Sequence, residues 1–254
     1  MICRRQFCSI IRPFLMVLIS TALTLSCSSN TNAPPPKVKE TKKDSIVSTP
    51  PPPPKKAPPP PDFDTTQWAE PQRLDSTIQL DLRYATTNNF VEEQLYPCPR
   101  CFLRPSVAEA LLQVHQQLLQ QGYGGLLLFD CYRPKSVQER LWEKVPNASY
   151  VTPPKKGSMH NKGAAVDLTI LDANGSALDM GTEFDFFGPA AHHTYQQLSD
   201  SILTNRKLLK TLMEKVGFRS IRTEWWHYSY RSKTYPISDM RWNCPTTGKA
   251  ESEM

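Results

Sequence analysis

The larger, C-terminal part of this 254-residue chain lacks a surplus of positive charge. Residues 67–254 hold 21 Lys and Arg against 20 Asp and Glu, so the net charge of +6 arises mainly from residues 1–66. Proteins that bind nucleic acid neutralise its phosphates with a basic surface. The balance of charges therefore excludes a nucleic-acid partner for the folded part.

The apolar run near the N-terminus is too short to cross a bilayer. It extends from Phe14 to Leu25, whereas a membrane helix needs about 20 residues. Behind Arg4 and Arg5 it suits the apolar region of an export signal. The sequence around Cys27 resembles a bacterial lipoprotein signal, although Thr24 stands where leucine is usual. We expect residues 1–27 to direct export to the periplasm or cell surface, with a lipid anchor at Cys27 or, alternatively, a plain secretory cleavage nearby.

Glycine is scarce, with 10 residues against 24 prolines, and half of the prolines lie between Pro34 and Pro61. This local excess rules out a uniformly proline-rich, disordered chain. Residues 28–66 cannot bury enough apolar surface to fold, and their proline runs favour extended polyproline II. We expect a stiff, disordered tether there; a ligand for proline-recognition domains is the alternative.

Residues 67–254 are long enough for one domain with its own core and show no internal repeat. Hydrophobic periodicity and two Ser-x-x-Glu capping boxes, at Ser106 and Ser136, predict helices. The predicted helices are 106–121, 136–143 and 204–216, and the predicted strands are 125–131, 164–171 and 225–230. Because helices and strands mix without regular alternation, the pattern indicates an α+β domain.

Three segments combine residues suited to a metal hydrolase: Ser158 to Asp167, Glu224 to His227, and Asp130 to Pro134. A carboxylate such as Asp167, between Val166 and Leu168, is costly to bury unless it is paired or binds a cation. Two imidazoles and one carboxylate would leave a fourth zinc position open, as in catalytic zinc sites.

In that arrangement Glu224 is free to act as a general base, and Arg133 can stabilise an oxyanion. The spacing raises one difficulty, because residues three apart on a regular strand face opposite sides. Glu224 must therefore precede the strand or lie on a bend if it shares a site with His227.

These motifs resemble the zinc D-alanyl-D-alanine dipeptidases of the VanX type. The resemblance covers about residues 80–242 and rests on five ordered motifs. The motifs are Asp81-Leu-Arg-Tyr-Ala-Thr-Thr-Asn-Asn-Phe90, Asp130-Cys-Tyr-Arg-Pro134, Ser-x-His-x-x-Gly-x-Ala-x-Asp from Ser158 to Asp167, Met180-Gly-Thr-Glu-Phe-Asp185 and Glu224-Trp-Trp-His227.

The resemblance implies a compact zinc-peptidase domain, in which a mixed or antiparallel sheet is flanked by helices. It implies one zinc ion per chain, held by His160, Asp167 and His227. Glu224 then matches the catalytic acid/base and Arg133 the transition-state stabiliser. The residues that match the substrate pocket are Ser158, Asp185 and Tyr84, with Asp185 facing the ammonium of a dipeptide.

Four cysteines lie outside the signal: Cys98, Cys101, Cys131 and Cys244. In an exported domain an even number favours disulfides, and the sequence leaves all three pairings open. The sequence Cys98-Pro-Arg-Cys101 also suits a redox or zinc site, but no second Cys-x-x-Cys completes a structural zinc site.

The sequence thus predicts a zinc dipeptidase that cleaves D-Ala-D-Ala, with a small dipeptide as its partner. A D,D-carboxypeptidase acting on peptidoglycan stem peptides is one alternative. A non-catalytic lipoprotein that binds the cell wall is the other.

Overall fold

The computed structural model describes residues 59–244. The predicted signal peptide, Cys27 and most of the predicted tether lie outside the described residues. The helices are α1 (Pro71–Leu74), α2 (Pro105–Gln120), α3 (Lys135–Lys144) and α4 (Asp200–Lys215). The strands are β1 (Gln79–Leu80), β2 (Gly125–Asp130), β3 (Ala165–Leu171), β4 (Phe218–Ile221) and β5 (Glu224–Tyr230). Short 3-10 helices cover Arg83–Ala85, His160–Lys162 and Pro189–Ala191.

The five strands form one mixed sheet in the order β1-β2-β3-β5-β4. β1 runs parallel to β2, and the other neighbours are antiparallel. β3 is central and buried at every position, and all of its residues except Asp167 and Thr169 are apolar. Helices α2 and α4 pack against the sheet, on β2 and β4 respectively. The predicted α+β domain with a mixed, helix-flanked sheet is therefore confirmed.

Helix α2 illustrates how the pattern of apolar residues sets the packing. Val107, Leu111, Val114 and Leu118 recur at helical spacing and are fully buried. On the same face His115 is buried, and its Nδ1 accepts a hydrogen bond from the Leu126 backbone N–H at 3.1 Å. This histidine therefore ties α2 to β2 as a structural residue.

Both predicted capping boxes are wrong. Helix α2 starts at Pro105, with Arg104 as its N-cap, and the Ser106 hydroxyl instead bonds to the Tyr235 hydroxyl. Helix α3 starts at Lys135, and Ser136 is its second residue. In each case a proline beside the first turn, whose fixed φ suits a helix start, sets the helix start instead of a serine side chain.

The four cysteines form two disulfides, Cys98–Cys244 and Cys101–Cys131. The first joins residues 146 positions apart and holds the end of the described chain. The second joins the loop before α2 to the residue that follows β2. Disulfide formation is thus confirmed, and the pairing left open by the sequence is resolved.

Residues 59–66, here called the lead-in segment, belong to the predicted tether but contact the domain. Arg100 forms an ion pair with Asp62 at 2.7 Å, and the ring of Phe63 lies edge-on to Phe102 at 5.2 Å. Arg100 also donates to the carbonyl of Asn243 at 2.7 Å. One arginine therefore holds both ends of the described chain.

Across residues 59–244, none of the helices combines the length and the apolar character that crossing a membrane requires.

Candidate metal centre and active site

Three buried side chains with metal-binding atoms converge where β3 and β5 pair. Asp167 lies directly opposite His227 in the antiparallel register, and His160 lies in the 3-10 helix that precedes β3. His227 Nδ1 is 2.9 Å from Asp167 Oδ1 and 3.1 Å from His160 Nε2. His160 Nε2 is 3.4 Å from Asp167 Oδ2. These residues form the one cluster of three metal-binding groups within the described part of the chain.

The spacing of these atoms fits a tetrahedral metal ion. Zinc with bonds of about 2.0–2.1 Å holds its ligand atoms about 3.3–3.4 Å apart, close to the separations given above. Two imidazoles and one carboxylate also match the donor set of catalytic zinc sites. The residues present therefore fit the ion that the sequence predicts.

The outer nitrogen of each imidazole already has a partner. His160 Nδ1 donates to the Cys131 carbonyl at 2.7 Å, and because a carbonyl only accepts, Nε2 of the neutral ring is the unprotonated nitrogen that can bind a metal. His227 Nε2 lies 2.9 Å from the Ser229 hydroxyl. Both rings are thereby held with one nitrogen facing Asp167.

Glu224 reaches the same cleft because the β4–β5 hairpin is irregular. Phe218 to Ser220 pair regularly with Tyr230 to Tyr228, but Ile221 then pairs with Glu224, so the register shifts by three residues. Glu224 is the first residue of β5, and it lines one cavity together with His227. The bend that the sequence required is present. Removal of the carboxyl from water raises the pKa of Glu224 to about 7.

Arg133 is held rigidly by buried partners. Asp130, at the end of β2, accepts from Arg133 Nε at 3.0 Å and from Nη2 at 2.7 Å. Arg133 Nη1 donates to Gln138 at 3.0 Å, and Gln138 donates to the Thr152 carbonyl at 2.7 Å. Asp130 also accepts from the Tyr96 hydroxyl at 2.6 Å. The guanidinium therefore has a fixed position at the cleft.

Asp185 and Tyr84 form a second polar pair in the cleft. The Tyr84 hydroxyl donates to Asp185 at 2.8 Å. Burial raises the pKa of Asp185 to about 7, since removal from water penalises its charge more than the Tyr84 hydrogen bond favours it. Asp185 has φ of 59°, in the left-handed region that few non-glycine residues adopt. Its carboxyl is thus fixed by backbone and hydrogen bond together.

The eight residues predicted for the site line one cavity of about 400 Å³. They are Tyr84, Arg133, Ser158, His160, Asp167, Asp185, Glu224 and His227. Ser158 also accepts a hydrogen bond from the His160 backbone N–H at 3.2 Å. Trp226 faces this cavity, whereas the neighbouring Trp225 turns away and donates to the Thr182 hydroxyl.

The sequence did not reveal the residues that hold the site in place. Gln138 is fully buried five positions after Arg133, within an amphipathic helix where a glutamine carries no signal. Ser229 shares a strand face with His227, so its spacing of two could have indicated it. The Cys131 carbonyl is a backbone group, which no residue pattern identifies.

Sequence comparison places the chain among known enzymes. The model of the Peptidase_M15 family, described as D-ala-D-ala dipeptidase, matches residues 65–243. A D-alanyl-D-alanine dipeptidase of Escherichia coli K12 is 31% identical over 182 residues, covering 71% of this chain and 94% of that protein. A D-alanyl-D-alanine dipeptidase of Enterococcus faecalis V583 is 33% identical over 183 residues, covering 63% and 89%.

Among solved structures, a zinc-bound mutant of the D,D-pentapeptidase VanY matches this chain, and the alignment covers 51% of this chain and 73% of the VanY chain. The TM-score is only 0.35, at 15% identity.

The chain is therefore a metallopeptidase, with a ligand triad that could hold a metal ion. Within that class it belongs to the D-alanyl-D-alanine dipeptidase family, Peptidase_M15.

Proposed function

We propose that this protein is a zinc-dependent dipeptidase that hydrolyses D-alanyl-D-alanine to two molecules of D-alanine. The observation that carries the proposal is the single cavity in which the His160–Asp167–His227 triad meets Glu224, Arg133 and Asp185. Relatives that are about 30% identical to this chain over most of its folded domain are named D-alanyl-D-alanine dipeptidases.

The proposed chemistry assigns each polar side chain one task. Zinc, when bound by the triad, supplies Lewis-acid activation of the attacking water and of the peptide carbonyl. Glu224 accepts the proton of that water and passes it to the leaving amine. Its pKa of about 7 suits a group that takes up and releases a proton near neutral pH. Arg133, fixed by Asp130 and Gln138, donates to the developing oxyanion.

Substrate recognition is assigned to the pocket around Asp185. A free dipeptide carries an ammonium one residue from the scissile bond, and Asp185 with Tyr84 offers a carboxylate to that charge. In the free protein the Tyr84 hydrogen bond and the charge of Arg133 do not offset the burial that raises the pKa of Asp185. An arriving ammonium would supply a cationic partner. Ser158 lies in the same cavity and completes the assigned pocket.

The location that we propose is outside the cytoplasm, with the chain anchored through Cys27. Two disulfides support this, because disulfides persist in oxidising compartments. Dipeptides released from cell-wall turnover would be the substrate there, so scavenging suits the enzyme better than antibiotic resistance.

Two alternatives predict different behaviour. A D,D-carboxypeptidase would cleave the terminal D-alanine of whole stem peptides, which needs room beyond Asp185. A non-catalytic cell-wall-binding lipoprotein would show no turnover even when loaded with metal. The intact ligand triad and the nearby Glu224 argue against the second.

Zinc content and substrate choice test the proposal together. The purified protein should hold about one zinc per chain by elemental analysis and hydrolyse D-Ala-D-Ala faster than a stem pentapeptide. His227→Ala should lose most of the metal and the activity, since it removes one of three ligands. His192→Ala, outside the cluster, is the matched control and should keep both. Full zinc occupancy in His227→Ala would remove that residue from the site.

A further inference from the structure

The disulfide between Cys101 and Cys131 adjoins His160, one of the proposed metal ligands. Both cysteines are buried, at 2% and 1% exposure. Cys131 follows Asp130 at the end of β2, and its carbonyl accepts the His160 Nδ1 hydrogen at 2.7 Å. The atom that fixes the orientation and protonation of the His160 ring thus belongs to a disulfide-bonded residue.

Residues 131–133 contact His160 at its backbone as well as at its ring. The Arg133 backbone N–H donates to the His160 carbonyl at 3.1 Å, and Asn161 donates to the Arg133 carbonyl at 2.8 Å. The Cys131 backbone N–H in turn donates to Asp130, which orients Arg133. A displacement of this segment would move His160 and Arg133 together.

Outside the sheet, this segment is fastened to residues 101–103. The Tyr132 backbone N–H donates to the Phe102 carbonyl at 2.9 Å, next to the disulfide. Phe102 and Leu103 are fully buried, and Leu103 bonds to Ala69 through both backbone groups. The disulfide therefore connects the segment that holds His160 to a buried, hydrogen-bonded part of the core.

The second disulfide has no such contacts. In the described part of the chain, no hydrogen bond joins Cys98 or Cys244 to any of the eight site residues, and Cys244, the last described residue, is linked to the loop before α2. The Cys98–Cys244 link spans 146 positions and the Cys101–Cys131 link spans 30. Since longer closed loops gain more from a cross-link, the first should contribute more to global stability.

We propose that the Cys101–Cys131 disulfide is a positioning element of the metal centre, which makes metal affinity and turnover depend on its oxidation. This inference rests on the proposed metal-dependent function. An external thiol, which is itself oxidised to a disulfide, would reduce the bond to two Cys thiols; the Cys131 carbonyl could then shift, so His160 would be held less firmly and the metal would bind more weakly. Loss of an outer partner of a metal-binding histidine typically costs 10- to 100-fold in affinity or activity.

The test compares the two disulfides in the same protein. One variant carries Cys101→Ala and Cys131→Ala, and the matched control carries Cys98→Ala and Cys244→Ala. Zinc affinity is measured by competition with a chelator, the ligand geometry by the visible absorption of the cobalt-substituted protein, and stability by thermal unfolding of the metal-free form. We expect the Cys101/Cys131 variant to bind zinc at least tenfold more weakly and to show an altered cobalt spectrum. The Cys98/Cys244 control should keep the zinc affinity and cobalt spectrum of the wild type, but its Tm should fall further than that of the Cys101/Cys131 variant.

If the Cys101–Cys131 disulfide had only a structural role, the two variants would give a different result. Both variants would then keep the zinc affinity and the cobalt spectrum and differ only in Tm, which would overturn the inference. If the Cys101/Cys131 variant does not fold, the wild-type protein is treated with a non-chelating phosphine reductant, and the reduced cysteines are mapped by alkylation. Zinc affinity that stays constant while Cys101 and Cys131 become reduced would also overturn it. Failure of the oxidised wild type to bind zinc would instead refute the proposed function itself.

Discussion

Individual protonation states in the cleft are set by hydrogen-bond partners and burial. The Cys131 carbonyl fixes the hydrogen of the neutral His160 ring on Nδ1, so the nitrogen facing Asp167 and His227 can bind a cation. Burial raises the pKa of both Glu224 and Asp185 to about 7. The site thus combines a preset metal ligand with two carboxyls that change charge near neutral pH.

The role of Glu224 predicts a separation of metal binding from turnover. Glu224→Gln keeps the size of the side chain but removes the proton acceptor, so kcat should fall about 10²–10⁴-fold while zinc content is unchanged. Steady-state kinetics with elemental analysis measures both. Glu183→Gln, an exposed acid in the Met180–Asp185 segment, is the control and should behave as the wild type. Near-normal kcat in Glu224→Gln would refute the assigned mechanism.

The role of Asp185 predicts discrimination against acylated substrates. N-acetyl-D-Ala-D-Ala lacks the ammonium, so its complex lacks the charge-assisted hydrogen bond to Asp185, which contributes about 1.5–3 kcal/mol or roughly 10–10²-fold in binding. We expect kcat/KM to lie roughly 10–10²-fold below that for D-Ala-D-Ala. Asp185→Asn should reduce the difference in kcat/KM between the two substrates, because it slows the reaction of the free dipeptide.

Asparagine is the suitable replacement for Asp185 because it tolerates the positive φ of this position. Asp179 is an exposed acid immediately before the Met180–Asp185 segment, and Asp179→Asn is the control that should preserve the difference in kcat/KM between the two substrates. Comparable kcat/KM for the free and acetylated dipeptides in the wild type would favour the carboxypeptidase.

At the scale of secondary structure, the sequence predicted most elements but not the details that assemble the site. Apolar runs identified β2, β3 and β5 because buried strands need them. Helix starts were less accurate: α4 begins at Asp200 and is capped by Ser199, four residues before the predicted start. The three-residue register shift beside Glu224 depends on pairing between two strands, which the sequence of either strand alone does not contain.

Helix α3 supports Arg133 through one buried residue, which predicts an effect on catalysis without direct contact with the substrate. Gln138→Leu leaves Arg133 Nη1 and the Thr152 carbonyl without their partners. We expect a loss of about 1–3 kcal/mol in stability and a fall of about tenfold or more in kcat, with little change in KM. Denaturant unfolding and steady-state kinetics measure the two effects.

Gln138→Glu is the informative companion variant. Glutamate still accepts a hydrogen bond from Arg133 but cannot donate one to the Thr152 carbonyl. Relative to Gln138→Leu, kcat should therefore recover, whereas the hydrogen bond to Thr152 stays lost. Wild-type kcat in Gln138→Leu would show that Asp130 alone positions the guanidinium.

At the scale of the whole molecule, one half-buried histidine makes stability depend on pH. Burial, then the charges of Lys210 and Arg206, lowers the pKa of His193 to about 4. Since this is below the unfolded value of about 6.5, the unfolded chain takes up more protons as pH falls from about 6.5 to 4. The contribution of His193 to stability is therefore complete above pH 6.5 and is lost on acidification.

His193→Gln, which does not titrate, should remove this dependence. Between pH 7.5 and 4.5 the wild type should lose about 1–2 kcal/mol more unfolding free energy than the variant, allowing for partial exposure. Denaturant unfolding of the metal-free proteins at both pH values measures the difference, and His192→Gln controls for replacing a histidine in the same loop. An equal loss in wild type and His193→Gln would contradict the assignment.

The lead-in segment has a mechanical consequence. Any pull on the chain ahead of residue 59 reaches the domain through the hydrogen bond from Arg73 to the Pro59 carbonyl, the Arg100–Asp62 ion pair and the Phe63 ring. An ion pair with one exposed partner, such as Asp62 here, contributes about 1 kcal/mol, so this segment should detach at low force. The strands that carry Asp167 and His227 would bear load only after that release. Single-molecule extension of the chain should therefore show a small early rupture, and Arg100→Ala should lower the force at which it occurs.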